Sequence, residues 1–218
     1  MQENLLKEIR NKFCHVDSCP FSGKRIFFEN AGGSLTLKSV AKRSGELAAI
    51  PDNQGRDNKG SQGIMDLIRQ SKTDAMDFFN SDKGTILIGE SGTELLFRLI
   101  RTAILASKKG KVVGSTLEHP ASRSASTKWS EYTSKHLMLV PHCSESGSIN
   151  LDQYLDSITA DVSLATMVHT SPVTGISIDL KKLTQGIKRI NPDCFIIVDG
   201  IQHAPHGDIN LSDSPVDG

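Results

Sequence analysis

The strongest constraint on this chain is an alternation. Short apolar, β-branched runs recur at residues 85–88, 111–113, 137–140, 164–168 and 195–198, and the segments between them carry helical spacing. In the first such segment Leu95, Leu96, Leu99, Ile100, Ala103 and Ile104 fall on one helical face. Residues 151–158 and 180–190 read the same way, with Asp179 placed to cap the second. The connector that holds Trp129 is less periodic and reads as a helix with the indole in a core or interface. Strands that alternate with helices build βαβ units, and strands without polar alternation are buried on both sides. The fold class expected is therefore α/β, a mainly parallel sheet with helices on both faces.

The region before residue 85 follows a different pattern. Residues 26–28 read as a short strand leading into the turn "NAGGS", and the polar, glycine-rich stretch 51–61 reads as a loop. Residues 63–80 read as an amphipathic helix with Ile64, Leu67, Ile68, Ala75, Phe78 and Phe79 inward. A net charge of zero and the lack of any basic run argue against a nucleic-acid partner. No stretch nears the roughly 18 apolar residues of a membrane span, and the opening "MQENLLKEIR" lacks the apolar core of a secretory signal. Cys14, Cys19, Cys143 and Cys194 are scattered, and no second ligand pair at zinc spacing accompanies the first two. Reduced thiols, a cytoplasmic location and no metal are expected.

Ligands of open parallel sheets bind beyond the carboxyl ends of the strands. Four of those ends carry polar groups: "GESGTE" from residue 89, "TLEHPAS" from 116, "HTSPVTG" from 169 and "DGIQH" from 199. The first offers backbone N–H groups and a hydroxyl at a positive helix end, which suits a phosphate; a plain serine cap of the helix is the alternative. It is not a P-loop, and its spacing is not that of a nucleophile elbow, so a triphosphate and a serine hydrolase are disfavoured. His119 has the chemistry to stack on a flat ligand or pass a proton, or simply to cap a loop. Asp199 ends an apolar strand, loses solvation there and needs a partner, for which a protonated heteroaromatic nitrogen, a salt bridge or a helix cap would serve. His203 and His206 lack a third metal ligand, and His206 reads as loop structure.

Taken in order, "FFENAGGS", "GESGTELLFRLI", "STLEHPAS", "VHTSPVTG", "VDGIQHAPH" and "INLSDSPVD" resemble the class V aminotransferase family, the fold-type I pyridoxal phosphate enzymes that include cysteine desulfurases. The resemblance covers roughly residues 25–218. It implies the large domain of such an enzyme over 25–218, preceded by an N-terminal segment, 1–24. It also implies pyridoxal 5′-phosphate as cofactor, an amino acid as substrate and a homodimer as the assembly. By this resemblance Gly92 and Thr93 match the phosphate-binding turn, and His119 matches the residue that stacks on the cofactor ring. Asp199 matches the partner of the ring nitrogen, and Gln202 the contact to the ring's phenolic oxygen. His119 and Asp199 would be the catalytic pair.

The chain departs from the family pattern at two points. Pro172 stands where the family has an asparagine able to reach the ring oxygen. No lysine lies between Asp199 and Gly218, whereas the family's Schiff-base lysine follows that stretch; Lys181, Lys182 and Lys188 precede it and read as a solvated helix face. The expectation is an N-terminal, large-domain fragment of the family, truncated before that lysine and before the small domain. The alternative is a non-catalytic relative that uses the same fold as a binding or regulatory module.

Overall fold

The computed structural model describes residues 2–51 and 55–218. Part of the expected polar loop, residues 52–54, lies outside the described residues. The chain forms two compact units, residues 1–70 and 71–218.

The first unit holds α1 (Gln2–Asn11), the short antiparallel pair β1 (Ser18–Cys19) and β2 (Gly23–Lys24), α2 (Lys38–Ala48), and most of α3 (Lys59–Phe78), which ends in the second unit. The expected strand at 26–28 does not form: Ile26 is 77% exposed and Phe28 91%, and neither has a strand to pair with. Helix α3 starts four residues earlier than the apolar pattern indicates, because Asn58 Oδ1 accepts from Ser61 N–H at 2.9 Å and caps the first turn. Phe78, expected inward, is exposed and meets Phe79 edge to face at 5.1 Å.

The second unit is a four-stranded, all-parallel sheet in the order β4-β3-β5-β6. Strand β3 is Lys111–Ser115, β4 His136–Val140, β5 Val162–Val168 and β6 Phe195–Asp199. The helices between them are α4 (Gly92–Ala106), α5 (Pro120–Tyr132), α6 (Leu151–Asp156) and α7 (Leu180–Ile190). One face of the sheet packs Val112, Leu164 and Ile197 against Leu96, Ile100 and Ile104 of α4 and Ala121 and Ala125 of α5. The other packs Val113, Ala165, Met167 and Ile196 against Tyr154 of α6 and Leu183 and Ile187 of α7. Both faces are covered, so every residue of β5 is buried, including the polar Ser163 and Thr166.

The expected strand at 85–88 is absent, and Leu87 and Ile88 are 71% and 70% exposed. Its apolar residues find no neighbouring strand among the described residues, and a run without a ladder partner does not become a strand. On the outer edge of β6, Val198 N–H donates to Gly218 O at 2.8 Å and Gly218 N–H to Ile196 O at 3.1 Å. The lysines of α7 are not a uniformly solvated face. Lys188 is only part-exposed and donates to Cys194 O at 2.9 Å and to Asp217 at 2.7 Å, while Lys181 pairs with Asp213 at 3.2 Å.

Truncating Ile197, which is 1% exposed, should remove packing on the α4/α5 face, and Ile197→Ala is expected to cost about 2–5 kcal/mol in chemical denaturation. Leu87→Ala, on the exposed segment, should change stability by less than about 0.5 kcal/mol.

Candidate active site at the carboxyl end of the sheet

Chain connectivity opens a crevice at one place. Strand β3 leads through α5 to β4 on one side, and β5 leads through α7 to β6 on the other. Helices α5 and α7 lie on opposite faces, so the chain diverges between β3 and β5, the position at which such sheets take their ligands.

Glu118 lies three residues beyond β3, at this point of divergence. It is 4% exposed; its Oε1 accepts from Ser115 Oγ at 2.9 Å and from Val168 N–H at 3.1 Å, and its Oε2 accepts from Ser122 Oγ at 3.2 Å. Loss of solvent raises its pKa to about 7, with the negative charge of Asp199 adding to the rise and the three donors opposing it. Sequence reasoning included this residue in the "TLEHPAS" segment without assigning it a part. The one available signal was an acid three residues beyond a buried strand end, flanked by serines at three before and four after.

The neighbouring His119 is the N-cap of α5, where its Nδ1 accepts from Ala121 N–H at 3.1 Å and Pro120 starts the helix. That bond leaves Nε2 turned outward, and the residue is exposed. Asp199 is the last residue of β6 and is 7% exposed. Its Oδ1 accepts from Ile201 N–H at 3.1 Å, and its carbonyl accepts from His169 N–H at 2.9 Å. Asp199 is in register with Val168, the residue whose N–H donates to Glu118.

Gly92 and Thr93 form the start of α4. Ser91 caps this helix by accepting from Glu94 N–H at 3.2 Å, and Glu94 in turn accepts from Glu90 N–H at 2.8 Å and pairs with Arg98 at 2.7 Å. The helix-cap reading of "GESGTE" therefore holds, and it leaves the positive helix end intact. A Cβ on Gly92 would fall inside van der Waals contact of Ile201 Cδ1. The start of α4 thus lies against the exit of β6, two residues past Asp199. Gln202 is half-buried in the turn that follows. Gly92, Glu118, Asp199 and their neighbours share one end of the sheet.

The structure adds a contact that the sequence did not indicate. The rings of His169 and His203 stack at 3.4 Å, nearly parallel. His203 Nδ1 bonds Thr170 Oγ1 at 2.9 Å and its Nε2 bonds Asp208 O at 3.2 Å, which holds the turn after β6 against the end of β5. Burial, with the charge of His203 beside it, lowers the pKa of His169 to about 4, so this ring is neutral at physiological pH. His206 is exposed in a turn. Pro172 lies in a turn closed by Ser171, whose Oγ accepts from Val173 and Thr174 N–H groups at 3.2 Å and whose carbonyl accepts from Gly175 N–H, with Gly175 at φ +72°. Among the described residues no group of His, Cys, Asp and Glu side chains is arranged to hold a metal ion, and no helix is long and apolar enough to cross a membrane.

The family model for aminotransferase class-V matches residues 26–218. The chain belongs to this family. A probable cysteine desulfurase of Mycoplasma genitalium is 26% identical over 197 residues, spanning 88% of this chain and 47% of that protein. A cysteine desulfurase-like protein of Aspergillus flavus is 26% identical over 208 residues, spanning 89% and 46%. Among solved structures, the apo cysteine desulfurase of Thermococcus onnurineus superposes with a TM-score of 0.84 at 20% identity, covering 97% of this chain and 51% of that one. The class-V chain described here spans about half the length of the curated relatives it matches.

The raised pKa of Glu118 gives a pH signature. Between 4.5, its ordinary value, and about 7 the folded chain keeps a proton that the unfolded chain releases. Stability from this group is therefore fully present below 4.5 and is lost as pH rises through 7. Relative to Glu118→Gln, which cannot titrate, the wild-type chain is expected to lose about 3 kcal/mol across that window in pH-stepped urea unfolding.

Proposed function

We propose that residues 25–218 form the cofactor-binding large domain of a pyridoxal 5′-phosphate-dependent enzyme that acts on an α-amino acid, with aminotransferase or cysteine desulfurase chemistry. The observation that carries this reading is the buried carboxylate of Asp199, set at a sheet end beside the start of α4, where Gly92 faces the Ile201 side chain. Bound at that end, the cofactor supplies an electron sink for the pair released at the substrate's α-carbon.

Each residue has a part that follows from its surroundings. Asp199 has lost most of its water and is held in place by Ile201 N–H, so it favours a cationic ring nitrogen opposite it. Gly92 and Thr93, at the positive end of α4, suit a phosphate dianion, and Gly92 leaves room beside the Ile201 side chain. His119, pinned through Nδ1, offers the face of its ring to a planar ligand and Nε2 to a proton. Gln202 supplies an amide donor for a ligand oxygen. The bound group would be shielded from water on the sheet side by Glu118 and Val168. A homodimer and a cytoplasmic location belong to the same proposal.

Pro172 favours a second reading, a non-catalytic relative that keeps the site for binding alone. Proline has neither a side-chain donor nor an N–H, and its turn is already closed by Ser171 and Gly175.

Equilibrium dialysis of pyridoxal phosphate against the 218-residue chain tests the binding site. Asp199→Ala and Gly92→Val are each expected to weaken binding by at least about tenfold. Unchanged affinity in both variants would reject the assignment. In a longer chain that carries the lysine, sulfide release from cysteine, compared with amino transfer to a 2-oxo acid, separates the two enzymatic readings from each other and, where both are missing, from the binding module.

A further inference from the structure

We propose that Glu118 is the positioning residue of this site. Its carboxyl ties the ends of β3, α5 and β5 into one knot, and so sets where His119 and Asp199 stand.

The geometry is specific. Ser115 is the last residue of β3, Ser122 lies in the first turn of α5 and Val168 is the last residue of β5. One carboxyl group accepts from all three, so the two strands that diverge here and the helix that leaves β3 share a single acceptor. No backbone ladder does this work at the crevice. The matched β3–β5 pairs end at Val113 and Ala165, and beyond them Glu118 supplies the acceptor for Val168 N–H.

Two site residues are one covalent or one ladder step away from this knot. His119 follows Glu118 directly and caps the helix that Ser122 anchors. Asp199 is in register with Val168 on β6, and its carbonyl holds His169 N–H immediately after. Shifting Val168 therefore moves both the backbone under Asp199 and the start of the His169–His203 stack.

The knot also has a protonation state. The charged or titratable groups coupled to Glu118 are Asp199 from β6, which disfavours its anion, and Tyr154 from α6, whose own hydroxyl is held by Thr166 O at 2.7 Å and whose pKa is raised by burial and by Glu118. In its neutral form the group keeps its acceptor contacts to Ser115 and Val168 and turns a donor toward Ser122. A glutamine has the same shape and the same donor and acceptor pattern, fixed at every pH.

The inference rests on the site read above, but its first test requires no cofactor. In 1H–15N spectra of the 218-residue chain the Val168 amide is expected to titrate with a midpoint near 7, and in Glu118→Gln to become independent of pH over the same range. A Val168 amide that does not titrate in the wild type, or titrates equally in Glu118→Gln, overturns the proposal. The second test is pyridoxal phosphate affinity. Glu118→Ala should weaken it by at least about tenfold while Glu118→Gln stays within about threefold of wild type. If Glu118→Ala binds like wild type while Asp199→Ala does not, the positioning role fails and the cofactor site stands. If the amide titration behaves as expected but neither Asp199→Ala nor Gly92→Val changes affinity, the cofactor site fails and the knot stands. Should Glu118→Ala not fold, the glutamine spectra alone decide.

Discussion

The arrangement of this chain depends on one point where two parallel strands part company. Strands β3 and β5 are paired only as far as Val113 and Ala165, and their following helices go to opposite faces, so the backbone beyond does not continue the ladder. An unpaired buried N–H is costly, and the side chain of Glu118 removes that cost by reaching across to Val168. A carboxyl is an unusual group to bury, and it is tolerable here because it accepts from three donors and because it can hold a proton near neutral pH. His119 follows Glu118 directly in the chain, and Asp199 is in register with Val168 at the β5 exit.

The helices around this point serve it in different ways. Helix α4 brings its positive end against the β6 exit, where Gly92 leaves room beside the Ile201 side chain. Helix α5 presents a small-residue face of Ala121, Ser122, Ala125 and Ser126, which lets it lie close to the sheet and places Ser122 under Glu118. The polar stripe has a local cost. Ser126 Oγ, Ser130 Oγ, Trp129 Nε1 and Thr166 Oγ1 are buried without a hydrogen-bond partner among the described residues. On the opposite face Tyr154 and Leu183 fill the space with apolar bulk, while on this face the bulk comes from Leu96, Ile100 and Ile104 of α4 rather than from α5.

Much of the sheet could be read directly. The runs at 111–113, 137–140, 164–168 and 195–198 all became strands, and Asp179 caps α7 through Lys182 N–H as its position before an apolar helix indicated. The runs at 26–28 and 85–88 looked just as strand-like and are not strands. Local propensity asks only for β-branched and apolar residues, whereas a strand also requires a neighbour to bond. Phe78 was misplaced for a related reason, since the helical period fixes a face but not where the packing partner ends.

For the site, the sequence alone determined the polar strand ends and, through their order, the family, and it is the resemblance to that family that names Gly92, Thr93, His119, Asp199 and Gln202 as candidates. Glu118 and the His169–His203 stack were decided only by the tertiary structure. What matters in them is proximity between residues 50 and 34 positions apart, and the desolvation that packing creates. A one-dimensional pattern records which groups are present. It cannot record which of them lose water or meet, because both depend on the three-dimensional path of the chain.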